Sequence, residues 1–156
     1  MLRAVIKEDL SVFFEQQRSP TACFMAAFTR ENPADRDAFD RHWEKVLRSD
    51  SIIKKTILFG NEIAGYVSKF EMAGQSEISY WIGSEFWGKG VATQALTEFV
   101  NDIGVRPLYA RTAFDNLASM RVLQKCGFTR EGVGRFFANA RGEEIDEIIW
   151  VLAGAK

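Results

Sequence analysis

Trp87, Gly88, Lys89, Gly90, Val91, Ala92 and Thr93 stand where a strand gives way to a helix, and there residue type and spacing could hold a ligand. Glycines at such a turn let the backbone approach a bound group with no Cβ in the way. The first-turn amides of a helix have no partners within it and carry the positive end of its dipole, so they can receive phosphate oxygens. Two familiar phosphate loops are excluded. Thr93 fills the third glycine position of G-x-G-x-x-G, and the chain has no G-x-x-x-x-G-K-[ST] segment. Cys126 invites a reading as a covalent nucleophile, but it sits at a helix end with no histidine in sequence reach. His42 lies beside the apolar stripe of a helix, where a structural role is commoner than that of a base.

These residues need a strand before them and a helix after them. Ile78, Tyr80 and Ile82 alternate with Ser79, Trp81 and Gly83, the period of a two-faced strand. Ala92, Ala95, Leu96, Phe99, Val100 and Ile103 then follow with helical spacing, and Gly104 ends the helix. Upstream, Leu2 to Ile6 can form a strand, with Asp9 capping a helix that Pro20 and Thr21 interrupt and Cys23 to Phe28 continuing as helix or loop. Pro33 to Arg48 is predicted as a helix with Asn32 as its cap and Phe39, Trp43, Val46 and Leu47 as its buried stripe. Glu31, Asp35, Asp37 and Asp40 crowd its start, where the dipole favours them and where an acidic rim could also draw in a cationic amine.

Ile52 to Phe59 and Glu62 to Phe70 read as strands joined at Gly60-Asn61, and a turn at Ala73-Gly74-Gln75 leads into the strand beginning at Glu77. Three antiparallel strands therefore precede the loop. Pro107 to Thr112 follows as a strand parallel to the last of them, reached through the helical crossover. Asn116 caps a helix through Cys126, Gly127 closes it, and Phe128 to Phe136 and Glu143 to Leu152 finish as a hairpin turning at Ala140-Arg141-Gly142.

The bulk properties fit one domain over residues 1–156, without repeats or a dividing linker. With 47% hydrophobic residues and thirteen Phe, the chain has ample material for a core. A net charge of -1 and a pI of about 5.9 make a nucleic-acid partner a poor fit. Cys23 and Cys126, with a single histidine, suggest neither a disulfide framework nor a metal site, and the reduced cytoplasm fits best. No secretory leader or membrane-spanning run is expected. Trp81, Phe86 and Trp87 leave monomer and homodimer both open.

The loop also matches [QR]-x-x-G-x-[GA], with Gly90 in the fourth slot, Ala92 in the sixth, and Trp87 in place of Gln or Arg in the first. The segment YWIGSEFWGKGVATQAL resembles the pyrophosphate loop of the GNAT superfamily of acetyl-coenzyme A (acetyl-CoA) dependent N-acetyltransferases, closest to the branch with the ribosomal-protein N-terminal acetyltransferases. DNLASMRVLQKCGF resembles that branch's N-x-x-S-x-x-x-x-x-K-x-G-F signature through Asn116, Ser119, Lys125, Gly127 and Phe128, and LRAVIKEDL resembles its opening strand and turn. The likeness runs over essentially the whole chain.

The resemblance implies an α/β (α+β) fold: a mixed, mostly antiparallel sheet of about six or seven strands, flanked by about four helices, whose central parallel neighbours splay into a V. It implies acetyl-CoA as co-substrate, no metal, and direct transfer to a primary amine. Backbone near Trp81 and Ile82 would pair with pantetheine, the amides of Gly88, Lys89, Gly90, Val91, Ala92 and Thr93 would hold the pyrophosphate, and Asn116 and Ser119 would complete the cofactor side. A strand amide would stabilise the oxyanion.

Many family members place a thiolate-protonating tyrosine on the second motif helix, but Leu123 occupies that slot, so Ser119 is the nearest candidate by motif. Glu77 matches the strand position of a catalytic glutamate, with a solvated strand-end carboxylate as the alternative. Neutralising a lysine-like amine at pH 7 costs about 4.6 kcal/mol, against about 1.4 kcal/mol for a terminal α-amine. A site with no conspicuous base therefore fits a peptide or protein amino terminus. The alternatives are a small-molecule amine (amino acid, antibiotic or polyamine) and a degenerate acetyl-CoA sensor.

Overall fold

In the computed structural model, which describes residues 1–154, the chain begins with β1 (Leu2–Ala4), α1 (Leu10–Gln16), α2 (Pro20–Ala26) and α3 (Arg36–Arg48). The hairpin strands β2 (Ile53–Phe59), β3 (Glu62–Met72) and β4 (Gln75–Ile82) follow. Then come α4 (Val91–Ile103), β5 (Leu108–Ala113), α5 (Leu117–Lys125), β6 (Thr129–Ala138) and β7 (Glu143–Leu152). One seven-stranded sheet runs in the order β1-β2-β3-β4-β5-β7-β6. Its pairs are antiparallel except β4 with β5. This is the mixed, mostly antiparallel arrangement expected from the sequence, with five α-helices where about four were anticipated.

The sheet has a helical layer on each face. On one, Val91, Ala95, Leu96, Phe99 and Val100 form the buried stripe of α4 and pack with Leu123 of α5 onto Ile78, Ile82, Leu108, Ala110, Ile148 and Trp150. On the other, Phe13 and Phe14 of α1 pack with Phe39, Trp43 and Val46 of α3, joined by Ile63 and Tyr66 of β3. Alternation along β4, β5 and β7 therefore sends Glu77, Arg111 and Glu147 to the face of α1–α3 and Tyr80 to the face of α4 and α5.

The central feature is the parallel junction. β4 is paired along its length with β3, from Gly65↔Ile82 to Met72↔Gln75. β5 is likewise paired with β7, from Leu108↔Leu152 to Ala113↔Glu147. Between themselves, β4 and β5 share a single register pair, Glu77↔Tyr109. Beyond it each strand follows its other neighbour, and the two part.

Several boundaries differ from the sequence reading for local reasons. β1 stops at Ala4, and Asp9, almost fully buried, does not cap α1: its carboxylate accepts hydrogen bonds from Arg3, the Thr56 hydroxyl and the Ile6 amide at 2.6–3.0 Å. Pro20 interrupts one helix by opening another, as the first residue of α2 under a Ser19 cap. Asn32 closes the preceding turn by accepting from the Ala34 amide, and Asp35 caps α3 by accepting from the Ala38 amide.

Burial pushes the Asp9 carboxyl up, but the Arg3, Thr56 and Ile6 hydrogen bonds hold it below the usual carboxylate range. Its folded pKa is therefore lower than its unfolded one, so the stabilisation is present above the ordinary carboxylate range and is lost as pH falls through the depressed value. Asp9→Asn is expected to cost about 3 kcal/mol at neutral pH. Urea melts against pH are the check: the gap between variant and wild type should close in acid.

Candidate active site

Where β4 and β5 part, a cleft of about 370 Å³ opens between them. Glu77, Tyr80 and Trp81 of β4, Arg111 of β5, Asn116 and Ser119 at the start of α5, and Glu147 of β7 all line it. Of the residues singled out in the sequence, Glu77, Trp81, Asn116 and Ser119 thus share one cavity. Ile82 and the loop from Gly88 to Thr93 do not line it and lie at the carboxyl end of β4. Glu31, Asp35, Asp37 and Asp40 are also outside it. Asp35 is a helix cap and Asp40 pairs with Arg36 at 2.9 Å, so these two serve the start of α3.

The register shows which backbone groups face the gap. Gly83 N–H donates to Ala64 O at 2.8 Å, making Ile82↔Gly65 a pair without mutual hydrogen bonds. The amides and carbonyls of Tyr80 and Ile82 therefore point toward β5, and those of Trp81 point to β3. The Trp81 backbone, expected from the sequence to face the gap beside Ile82, is thus turned to β3, and the gap-facing groups are those of Tyr80 and Ile82. The Ile82 carbonyl already accepts from the Trp87 indole N–H at 3.0 Å. That bond folds the loop back onto the end of β4 and gives the aromatic at its first slot a structural use.

Gly88 and Gly90 both sit at φ 75°, in the left-handed region that favours glycine, and a Cβ at either would meet nothing within 4 Å. Gly90 is the N-cap of the thirteen-residue α4, and among the described residues no side chain caps it. The first-turn amides beside an open glycine turn are suited to a diphosphate. Lys89 extends its ammonium over the Phe59 ring, 5.5 Å from the centroid.

At the start of α5, the Asn116 side chain accepts from the Ser119 amide at 3.3 Å, and the Ser119 hydroxyl shares a 2.5 Å hydrogen bond with the Tyr80 hydroxyl. Burial pushes the Tyr80 phenol up to about 12, so it stays protonated at neutral pH. Sequence reasoning missed Tyr80 because it sought a tyrosine on the helix, at the position where Leu123 is buried core. Cys126 packs near Thr93 O and the Thr97 hydroxyl, and burial raises its thiol pKa, which argues against a nucleophilic thiolate.

Across the cleft, the Arg111 guanidinium bridges two carboxylates. Nε lies 3.3 Å from Glu77 Oε1 and Nη1 lies 3.1 Å from Glu147 Oε1. Glu77 is 2% exposed, and its Oε2 has no hydrogen-bond partner among the described residues. Burial pushes the Glu147 carboxyl up, opposed by the Arg111 hydrogen bond. Glu77 is therefore not a solvated strand end. Glu147 had one signal in the sequence: a carboxylate in phase with Ile145 and Ile149, on the strand face that those two apolar residues share. His42 also lines the cleft, edge-on to Trp43. Desolvation and the charges of Arg30 and Lys45 lower its pKa, which keeps it neutral.

The chain resembles known acetyltransferases in sequence and fold. Residues 1–129 match the family model for the acetyltransferase (GNAT) domain. A putative ribosomal N-acetyltransferase of Bacillus subtilis (strain 168) is 25% identical over 136 residues, covering 80% of this chain and 74% of the relative. An uncharacterized N-acetyltransferase of Bacillus licheniformis is 29% identical over 83 residues, and there the match takes in 51% of this chain and about half (47%) of the relative's length. Among solved structures, a ribosomal-protein-alanine N-acetyltransferase from Brucella melitensis superposes with a TM-score of 0.82 at 20% identity, covering 98% of this chain and 99% of that one. A spermidine N-acetyltransferase from Vibrio cholerae, in complex with CoA and spermine, gives 0.76 at 19% identity, with 97% and 94% covered. At these identities the structures establish the fold. The family model spans most of the sequence, and the chain belongs to the GNAT family of acetyltransferases.

Proposed function

We propose that this enzyme, acting as one domain in the reduced cytoplasm, moves the acetyl group of acetyl-CoA directly onto a primary amine, with a peptide or protein N-terminal α-amine as the leading acceptor. The supporting observation is the single-pair junction of β4 and β5, which opens into a cleft with a buried carboxylate on one side and a paired hydroxyl on the other. Pantetheine would run between the parted strands against the backbone of Tyr80 and Ile82, and the pyrophosphate would rest on the amides from Gly88 to Thr93. Glu77 takes a proton from the acceptor ammonium. Ser119, held by Asn116 and Tyr80, hydrogen-bonds the departing sulfur.

The charge of the cleft favours an α-amine over a polyamine. Its charged lining groups are Glu77, Glu147, Arg30 and Arg111, with His42 neutral, so one ammonium finds carboxylates and further cations find none left. Thiol release with an amine panel is the test. Turnover of alanine amide or an N-terminal peptide above spermidine and a lysine side chain is expected, and the reverse order overturns the acceptor assignment. Tight acetyl-CoA binding without turnover on any amine would identify a sensor instead. Tyr80→Phe, which leaves Ser119 without its partner, is expected to lower kcat about tenfold with acetyl-CoA affinity unchanged, as read from steady-state thiol release.

A further inference from the structure

We infer that Glu77, Arg111 and Glu147 form the acceptor-ammonium subsite, in which Glu147 is a second proton-accepting group and Arg111 a positioning residue for both carboxylates. The inference rests on the acetyltransferase reading and extends it to two residues that no family motif singled out. Glu77 and Glu147 come from different strands, are 2% and 8% exposed, and meet one guanidinium. A purely structural clamp between β4, β5 and β7 would match its charges and satisfy its oxygens. This cluster does neither: two carboxylates share one cation, and Glu77 Oε2 is buried on the cleft wall without a partner among the described residues.

An incoming R–NH3⁺ supplies the missing charge and the missing donors. The location agrees, because Arg111 lies two residues past Tyr109, where β4 and β5 cease to pair, and its side chain reaches back across the widening gap to Glu77. The Tyr80–Ser119 hydroxyls lie on the opposite face of the sheet. The amine and the sulfur are therefore served from different sides.

The proton balance is simple. The ammonium gives one proton to a carboxylate and becomes neutral, its lone pair attacks the acetyl carbon, and the C–S bond breaks. The nitrogen's second proton goes to the thiolate, and the carboxylic acid returns the first to solvent. With two carboxylates on one arginine, either can hold the proton while the other keeps the ion pair.

The experiment compares wild type with Glu147→Gln, using alanine amide as acceptor. The KM for the amine should rise about ten- to a hundredfold, the acid limb of the pH profile of kcat/KM should move, and the acetyl-CoA Kd should stay within about twofold. The other ionisable groups lining the cleft, Arg30, His42, Tyr66 and Tyr80, are unaltered in this comparison. A merely structural Glu147 would leave the acid limb in place. An unchanged amine KM and acid limb, or a parallel loss of acetyl-CoA binding, overturns the inference. Should E147Q fail to fold, Glu147→Asp, which keeps the charge but withdraws it, is expected to raise the same KM, and an unchanged KM overturns the inference. If the wild type binds acetyl-CoA but releases no thiol with any amine, the transferase reading fails separately. Calorimetry of alanine amide into the acetyl-CoA-loaded protein then decides: binding weakened by E147Q upholds the subsite, and binding that is equal or absent overturns it.

Discussion

Glu77→Gln is expected to lower kcat/KM for a primary amine by about a hundred- to ten-thousandfold, the range for removing a positioned proton acceptor. The substitution keeps the shape of the side chain and its hydrogen bond to Arg111, and it removes the charge. Acetyl-CoA affinity should be unaffected, because the carboxylate lies on the α1–α3 face and the α4 amides lie beyond the carboxyl end of β4. The loss should shrink at high pH, where the acceptor is already neutral in solution. Steady-state rates across pH, with acetyl-CoA saturating, measure both effects. A uniform loss at every pH would instead point to damaged packing around a residue that is 2% exposed.

Gly65→Ala is expected to destabilise the fold by about 3 kcal/mol, more than most single substitutions. A Cβ there would stand 1.8 Å from the Trp81 carbonyl oxygen and 2.9 Å from its carbon, both backbone atoms of a central strand that cannot swing aside. The close approach of β3 to β4 at this point holds Trp81 against β3 and leaves Tyr80 and Ile82 turned to the gap. A shifted urea midpoint with an unchanged slope would register the cost. A wild-type midpoint would show that β4 has room to move and that the gap-facing register is not tightly set.

The parts of the site that were legible in the sequence are those made by neighbours in the chain. The glycine turn feeding α4 and the Asn116–Ser119 cap are set by spacings of a few residues, and helix-start chemistry makes such spacings readable. The hairpin at Gly60-Asn61 was readable for the same reason. Cap choice was not. Asn32 and Asp35 are both good cap residues three positions apart, and only the turn before α3 decides between them.

Pairings between distant strands left weaker traces. Arg111 meets Glu77 and Glu147 from 34 and 36 residues away, and Tyr80 reaches Ser119 across 39. The segments around Thr29 and Asn139, whose shapes were open in the sequence, are fastened across 110 residues by the Asn139 amide donating to Thr29 O. Arg141 donates both to Phe24 O and to Asp115 beside them. Such contacts depend on which strands lie side by side, and hydrophobic periodicity does not carry that information.

We propose that the first-turn amides at the start of α4 grip the diphosphate of acetyl-CoA where β4 and β5 part. Backbone amide NMR spectra of the folded protein, recorded as acetyl-CoA is added, test it most directly. The largest shifts are expected at Gly88 to Thr93, with a second set at Tyr80 and Ile82 and little change at Trp81. Spectra that stay still at the α4 start, or that move only on the outer strands β1 and β6, would contradict the claim.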